Sequence, residues 1–127
     1  MKAAVLKDKH KVVIQEIADL SPAPEQLLIK TEYAGICGSD LHAYEGRHPF
    51  RKPPVVLGHE LSGTVVGFGK KVADFQVGDR VTVMPIESLG SCMNCKRNKK
   101  NLCINKSLPG MNNCHGTFAQ YFMEFPG

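Results

Sequence analysis

Tryptophan is absent from the 127 residues, tyrosine and phenylalanine number 3 and 6, and no apolar run is long enough to cross a membrane. The opening Met1-Lys2-Ala3-Ala4-Val5-Leu6-Lys7-Asp8 meets charge too early for a secretory leader. These absences predict a cytoplasmic chain with no membrane partner. Charge of one sign is also scarce: the formal excess of +4 is too small to imply nucleic acid as a partner. A length of 127 residues suits one domain, residues 1–127, and excludes a large enzyme complete in this chain. Glycine and proline are what the chain has in excess, 12 and 8 residues, which favours a turn-rich, mainly β domain.

Five cysteines are an odd number, and two of them form Cys92-Met93-Asn94-Cys95. Without an export signal, that pattern predicts metal ligation rather than a disulfide framework.

Punctuation divides the chain into short strands. Val5-Leu6 and Val12-Val13-Ile14 flank the polar break Lys7-Asp8-Lys9-His10, which predicts a hairpin over the first seventeen residues. After Ser21-Pro22-Ala23-Pro24, the alternation of Leu27, Ile29, Thr31 and Tyr33 with Leu28, Lys30 and Glu32 predicts a half-buried strand. It runs into Gly35-Ile36-Cys37-Gly38-Ser39-Asp40, where Ser39 or Asp40 can cap a short helix reaching Tyr44 and ended by Gly46. Prolines 49, 53 and 54 keep the next stretch extended up to Val55-Val56-Leu57, and Glu60 to Phe68 reads as a glycine-containing strand. Val81, Val83 and Pro85 continue as a further strand, and Phe118 to Met123 as the last. Between them, residues 86–116 lose apolar periodicity and gather cysteines, asparagines and lysines. That is a loop lobe with no core of its own, and such a lobe needs a staple.

Two constellations carry chemistry. Gly58-His59-Glu60, with Gly63, Gly69 and Val72 after it, follows Cys37 by 22 residues at His59. A zinc site takes a thiolate and an imidazole from separate rigid segments, and a neighbouring carboxylate orients a ligand or takes a coordination place. A histidine between Gly and Glu is, on its own, more often a hydrogen-bonded structural residue than a ligand. The second constellation is Cys92-x-x-Cys95 followed by Cys103 on the lobe. Gly67-Phe68-Gly69-Lys70 imitates a dinucleotide fingerprint but lacks its third glycine and a following helix, so it is no phosphate loop.

Gly35-Ile36-Cys37-Gly38-Ser39-Asp40-Leu41-His42, then Gly58-His59-Glu60 with its glycines, then Val77-Gly78-Asp79-Arg80-Val81, closely resemble the zinc-dependent alcohol and polyol dehydrogenases of the medium-chain dehydrogenase/reductase family. The resemblance runs in order over nearly the whole chain. It implies a GroES-like, partly open β-barrel with short helices and a cysteine-bearing lobe, followed in the parent protein by a Rossmann domain for NAD or NADP that is absent here. It implies Cys37 and His59 as ligands of a catalytic zinc, Glu60 as the adjacent carboxylate, and a further ligand beyond this chain. It implies that zinc holds an alcohol or polyol as the alkoxide from which hydride passes to nicotinamide. Ser39 then relays the substrate proton and His42 lies near the ribose end of that relay. Without the family, Ser39 is a helix cap, His42 a polar residue on an exposed helix face, and Asp40 a stabiliser of the first helical turn.

In the family the lobe carries a structural zinc on four cysteines. Here Cys92, Cys95 and Cys103 match, but the first position is Leu89, which has no lone pair to offer. Cys114, Glu87, His115 or water are the candidates for the fourth place, and Cys114 also reads as a small buried apolar residue. The expected function is the zinc-binding, substrate-side domain of a homo-oligomeric NAD(P)-dependent dehydrogenase, inactive without its cofactor domain. The alternatives are a GroES-like interaction or oligomerisation module without chemistry and a zinc ribbon gripping nucleic acid. The ribbon is disfavoured because no aromatics interleave with Lys96, Arg97, Lys99, Lys100 and Lys106.

Overall fold

The computed structural model describes residues 1–88, 90–111 and 114–125. Strands dominate. β1 (Lys2–Asp8) and β2 (Lys11–Glu16) form the predicted hairpin, turned by Lys9 and by His10 at φ +61°. β4 (Val55–Val56) adds to the other edge of β1, giving a three-stranded sheet in the order β2-β1-β4. β3 (Leu27–Gly35), β5 (Glu60–Phe68), β6 (Arg80–Thr82) and β7 (Tyr121–Glu124) make a four-stranded antiparallel sheet in the order β6-β5-β3-β7. Both sheets are open. The segment before β7 laces them together: Ala119 bridges to Ala3, while the Gln120 carbonyl accepts from Thr31 N–H and enters the second sheet.

Apolar residues on one face of each strand fill the space between. Leu27, Ile29, Leu61, Val65, Val83 and Phe122 form the main cluster under the four-stranded sheet. Leu6, Ala43 and Leu57 form a smaller one that clamps α1 (Gly38–Tyr44) against β1 and the approach to β5. This clamp holds the helix and the Gly58-His59-Glu60 turn on the same side of the barrel.

Four details depart from the sequence reading. Tyr33 is 76% exposed rather than inward-facing: a bulge between Thr31 and Tyr33 breaks the alternation, and Glu32, Tyr33 and Ala34 are all exposed. α1 begins at Gly38 with Cys37 in the capping position. Asp40 still caps, but from the third helical position, folding its carboxylate back to accept the Cys37 N–H at 3.0 Å. β6 stops at Thr82, before Val83 and Pro85, and β7 starts at Tyr121 because Phe118 and Ala119 first pair with β1.

Among the described residues the lobe has little regular structure: α2 (Met93–Lys96), a 3-10 turn at Lys100–Leu102, and a neck closed by the Glu87–Ser107 bridge. Met93, Leu102 and Ile104 are exposed while Cys103 is buried, so thiols rather than apolar side chains occupy its centre. All five cysteines are free.

Candidate metal centres

Register brings the first site together. Gly35 at the end of β3 pairs with Glu60 at the start of β5, which puts Cys37, two residues past one strand, beside His59, one residue before the other. The ligand atoms of Cys37, His59 and Glu60 all lie within 4.8 Å of one another. Gly58 makes the approach possible: at φ +92° it turns the chain sharply, and a Cβ there would stand 2.5 Å from the Phe118 ring and from Thr117 Oγ1. Cys37 and His59 are half-buried and Glu60 is exposed, so the group opens to solvent on one side.

A polar lattice backs this group. Asp40, 2% exposed, accepts from the backbone N–H of Cys37 (3.0 Å) and of Gly58 (3.2 Å), tying both ligand-bearing turns to one carboxylate. Arg51, 3% exposed, runs alongside: Nη1 donates to Ser39 Oγ at 2.7 Å and to Asp40 Oδ1 at 3.4 Å, and Nη2 to the Pro109 carbonyl at 3.3 Å, with His59 Nδ1 3.2 Å from Nη2. His59 Nδ1 also lies 3.7 Å from Asp40 Oδ1. Nδ1 is thus occupied by protein partners, which leaves Nε2 as the ring nitrogen for a ligand bond. With Nε2 as the ligand atom Nδ1 carries the proton, and the carboxylate on that side is Asp40, 3.7 Å away. A thiol, an imidazole and a carboxylate with a buried carboxylate behind the imidazole suit zinc.

Ser39 is half-buried and His42 exposed, one helical turn apart on α1. Sequence reasoning passed over Arg51 and undervalued Asp40. The available signal was an arginine among prolines just ahead of the Gly-His-Glu turn, a position that gives no hint of burial.

At the second site Cys92, Cys95 and Cys103 offer sulfurs within 4.8 Å of one another, with Cys92 Sγ 3.4 Å from Cys95 Sγ and 4.0 Å from Cys103 Sγ. Those distances bracket the roughly 3.8 Å edge of a tetrahedron built on bonds of about 2.3 Å, so the sulfurs fit a thiolate-bound zinc. Backbone N–H groups of Cys95 and Ile104 hydrogen-bond to the Cys92 sulfur and pull its pKa down to about 6. Burial, followed by the hydrogen bond with Cys92, pushes Cys95 up. Leu89 lies outside the described residues. Among the described residues, neither Glu87, Cys114 nor His115 joins the cysteine cluster. Burial, followed by the negative charges of Glu87 and Glu124, raises the Cys114 thiol, and the residue is half-buried.

Residues 23–124 match the alcohol dehydrogenase GroES-like domain. The chain belongs to that family. This GroES-like domain is 42% identical over 122 residues to a sorbitol dehydrogenase of Halalkalibacterium halodurans, covering 93% of this chain and 35% of that protein. It is 37% identical over 123 residues to an L-threonine 3-dehydrogenase of Thermococcus kodakarensis, again covering 93% and 35%. Among solved structures, it superposes with TM-score 0.86 and 38% identity on a protein of Sinorhizobium meliloti 1021 described as a zinc-binding dehydrogenase, bound to NADP, covering 96% of this chain and 35% of that one. An alcohol dehydrogenase of Thermus sp. ATN1 gives a TM-score of 0.84 at 36% identity, covering 97% and 37%. The chain therefore spans about a third of the length of the curated relatives it matches. Among the described residues, no helix is long and apolar enough to cross a membrane.

Proposed function

We propose that this GroES-like domain is the zinc-binding, substrate-side part of an NAD(P)-dependent alcohol or polyol dehydrogenase. The observation that carries the reading is the convergence of Cys37, His59 and Glu60 ligand atoms within 4.8 Å at the end of the β3·β5 ladder. Cys37 and His59 would hold the catalytic zinc, with Glu60 beside them. Zinc bound there supplies Lewis acidity, which lowers the pKa of a substrate hydroxyl and prepares its carbon to give up hydride. The chain's own residues do the rest. Asp40 fixes both ligand turns and places its negative charge on the Nδ1 side of His59. Ser39 takes the proton leaving the substrate hydroxyl, and His42, exposed one turn further on, returns it to solvent. Nicotinamide would be held outside the residues described. Cys92, Cys95 and Cys103 would hold a second zinc that staples the lobe.

The test is zinc analysis together with assay of the intact protein. Zinc retained by wild type but lost from Cys37→Ser and His59→Ala variants, with NAD(P)-linked oxidation of a sorbitol, L-threonine or ethanol probe, supports the reading. Full zinc content in both variants counts against it. The exposure of Val12, Val13 and Ile14 along the edge strand β2 favours a second reading, a module that pairs with another chain. A monomer at all concentrations, by light scattering, argues against that second reading.

A further inference from the structure

A hydroxyl owns one proton and two acceptor lone pairs. On Ser39 one lone pair is taken by Arg51 Nη1 at 2.7 Å, and among the described residues Ser39 Oγ has no other hydrogen-bond partner. What remains is one lone pair and the O–H itself, the minimum a group needs to accept a proton on one side and pass one on at the other. Arg51 cannot accept a hydrogen bond, so the Ser39 proton is turned away from it. We propose that Arg51 is a positioning residue that sets the direction of the Ser39 relay. This rests on the dehydrogenase reading above.

The geometry favours orientation over charge as the means. Asp40 Oδ1 stands 3.4 Å from the same Nη1, so the field of the cation at Ser39 is largely cancelled. The guanidinium is held from several sides. Pro109 O of the lobe neck accepts from Nη2, His59 Nδ1 faces it, and the Arg51 backbone N–H donates to His48 Nδ1 at 3.0 Å. A planar fork fixed in this way delivers one N–H to one lone pair of Ser39 with little freedom to swing. A lysine ammonium keeps the charge but lacks the fork.

A double-mutant cycle in the intact, zinc-loaded protein tests this, with sorbitol, L-threonine and ethanol as probes and NAD+ or NADP+ as acceptor. Ser39→Ala lowers kcat by about a hundredfold, the scale of a lost proton transfer. Arg51→Met lowers kcat by a similar factor through misplacement of the hydroxyl. Arg51→Lys loses about tenfold, and the pair Ser39→Ala with Arg51→Met is no worse than Ser39→Ala alone. Zinc per chain, and the visible spectrum of cobalt-substituted protein, stay as in wild type. If Arg51→Met does not fold, Arg51→Lys in both Ser39 backgrounds carries the same comparison. Equal losses from the Arg51 change with and without Ser39, or zinc loss in the Arg51 variants, overturn the proposal, since Arg51 would then serve the fold or the metal directly. Wild type that turns over none of the probes overturns the dehydrogenase reading itself, a result distinct from either.

Discussion

Gly35 and Glu60 face each other across the β3·β5 ladder, and a Cβ on Gly35 would stand 2.2 Å from Glu60 Oε2 and 3.0 Å from its Cβ. The carboxylate thus rests on bare backbone. Gly35→Ala is expected to move Glu60 away from Cys37 and His59, lower zinc retention on dialysis, and cost about 1–3 kcal/mol of stability as an overpacked contact. Gly38→Ala, where nothing lies within 4 Å, is the matched control and leaves both unchanged. Zinc per chain and thermal melts distinguish the two. Identical behaviour of the variants would remove Gly35 as the support of Glu60.

Asp40 joins Cys37, Gly58 and Arg51, and its contacts with Gly58 and Arg51 are buried while that with Cys37 is partly so. Asp40→Ala leaves the Arg51 guanidinium buried without its counter-charge and two backbone donors without an acceptor. A loss of about 3–5 kcal/mol is expected in urea unfolding. Asp40→Asn keeps an acceptor oxygen but not the charge, and loses less. A loss under about 1 kcal/mol for the alanine variant would show that the pair is dispensable.

Much of the fold was legible because strand period and punctuation are local. The β1-β2 hairpin, β3 and β5 were readable from alternation and from glycine or proline at their ends, and the grouping of Cys37, His59 and Glu60 was expected from residue type, spacing and the family resemblance together. What escaped depends on partners far along the chain. Tyr33 is exposed where the pairing of β3 with β5 carries a bulge, and no pattern within β3 encodes that. Phe118 and Ala119 pair with β1 rather than with β3, a choice made 116 residues from its partner Ala3 to Ala119. Arg51 is buried only because α1, the His59 turn and the lobe neck close over it, and nothing in His48-Pro49-Phe50-Arg51 announces this. The lobe was legible by default, since a stretch that cannot bury apolar groups must use its thiols.

The two metal groups are separate in space and sequence, so they are expected to empty independently. Cys92→Ser or Cys103→Ser removes one zinc equivalent and loosens the lobe, seen as faster proteolysis near residues 96–100, while sparing the zinc that depends on Cys37. Cys37→Ser does the reverse. If no zinc survives Cys37→Ser, the lobe holds none, and Cys92, Cys95 and Cys103 are a thiol cluster only.

Glu124 ends β7 in a cavity lined by Leu20, Met84, Phe122 and Phe125, and burial, followed by the negative charge of Glu87, raises its pKa to about 7. In the unfolded chain it titrates near 4.5. Between these values the native state binds more protons than the unfolded state, so unfolding free energy falls as pH rises through that window. The contribution is present in full below pH ~4.5 and is lost once the pH passes about 7. With allowance for the water that still reaches the carboxylate, the difference is on the order of 1–2 kcal/mol. Glu124→Gln keeps the shape and removes the titration. The variant is therefore expected to match wild type at pH ~5 and to exceed it at pH ~8, by urea midpoints compared at constant slope. Because other groups titrate in both proteins alike, the wild-type-minus-variant difference isolates Glu124. A difference that does not change with pH would place this carboxylate in ordinary solvent contact and leave the cavity without a buried charge at neutral pH.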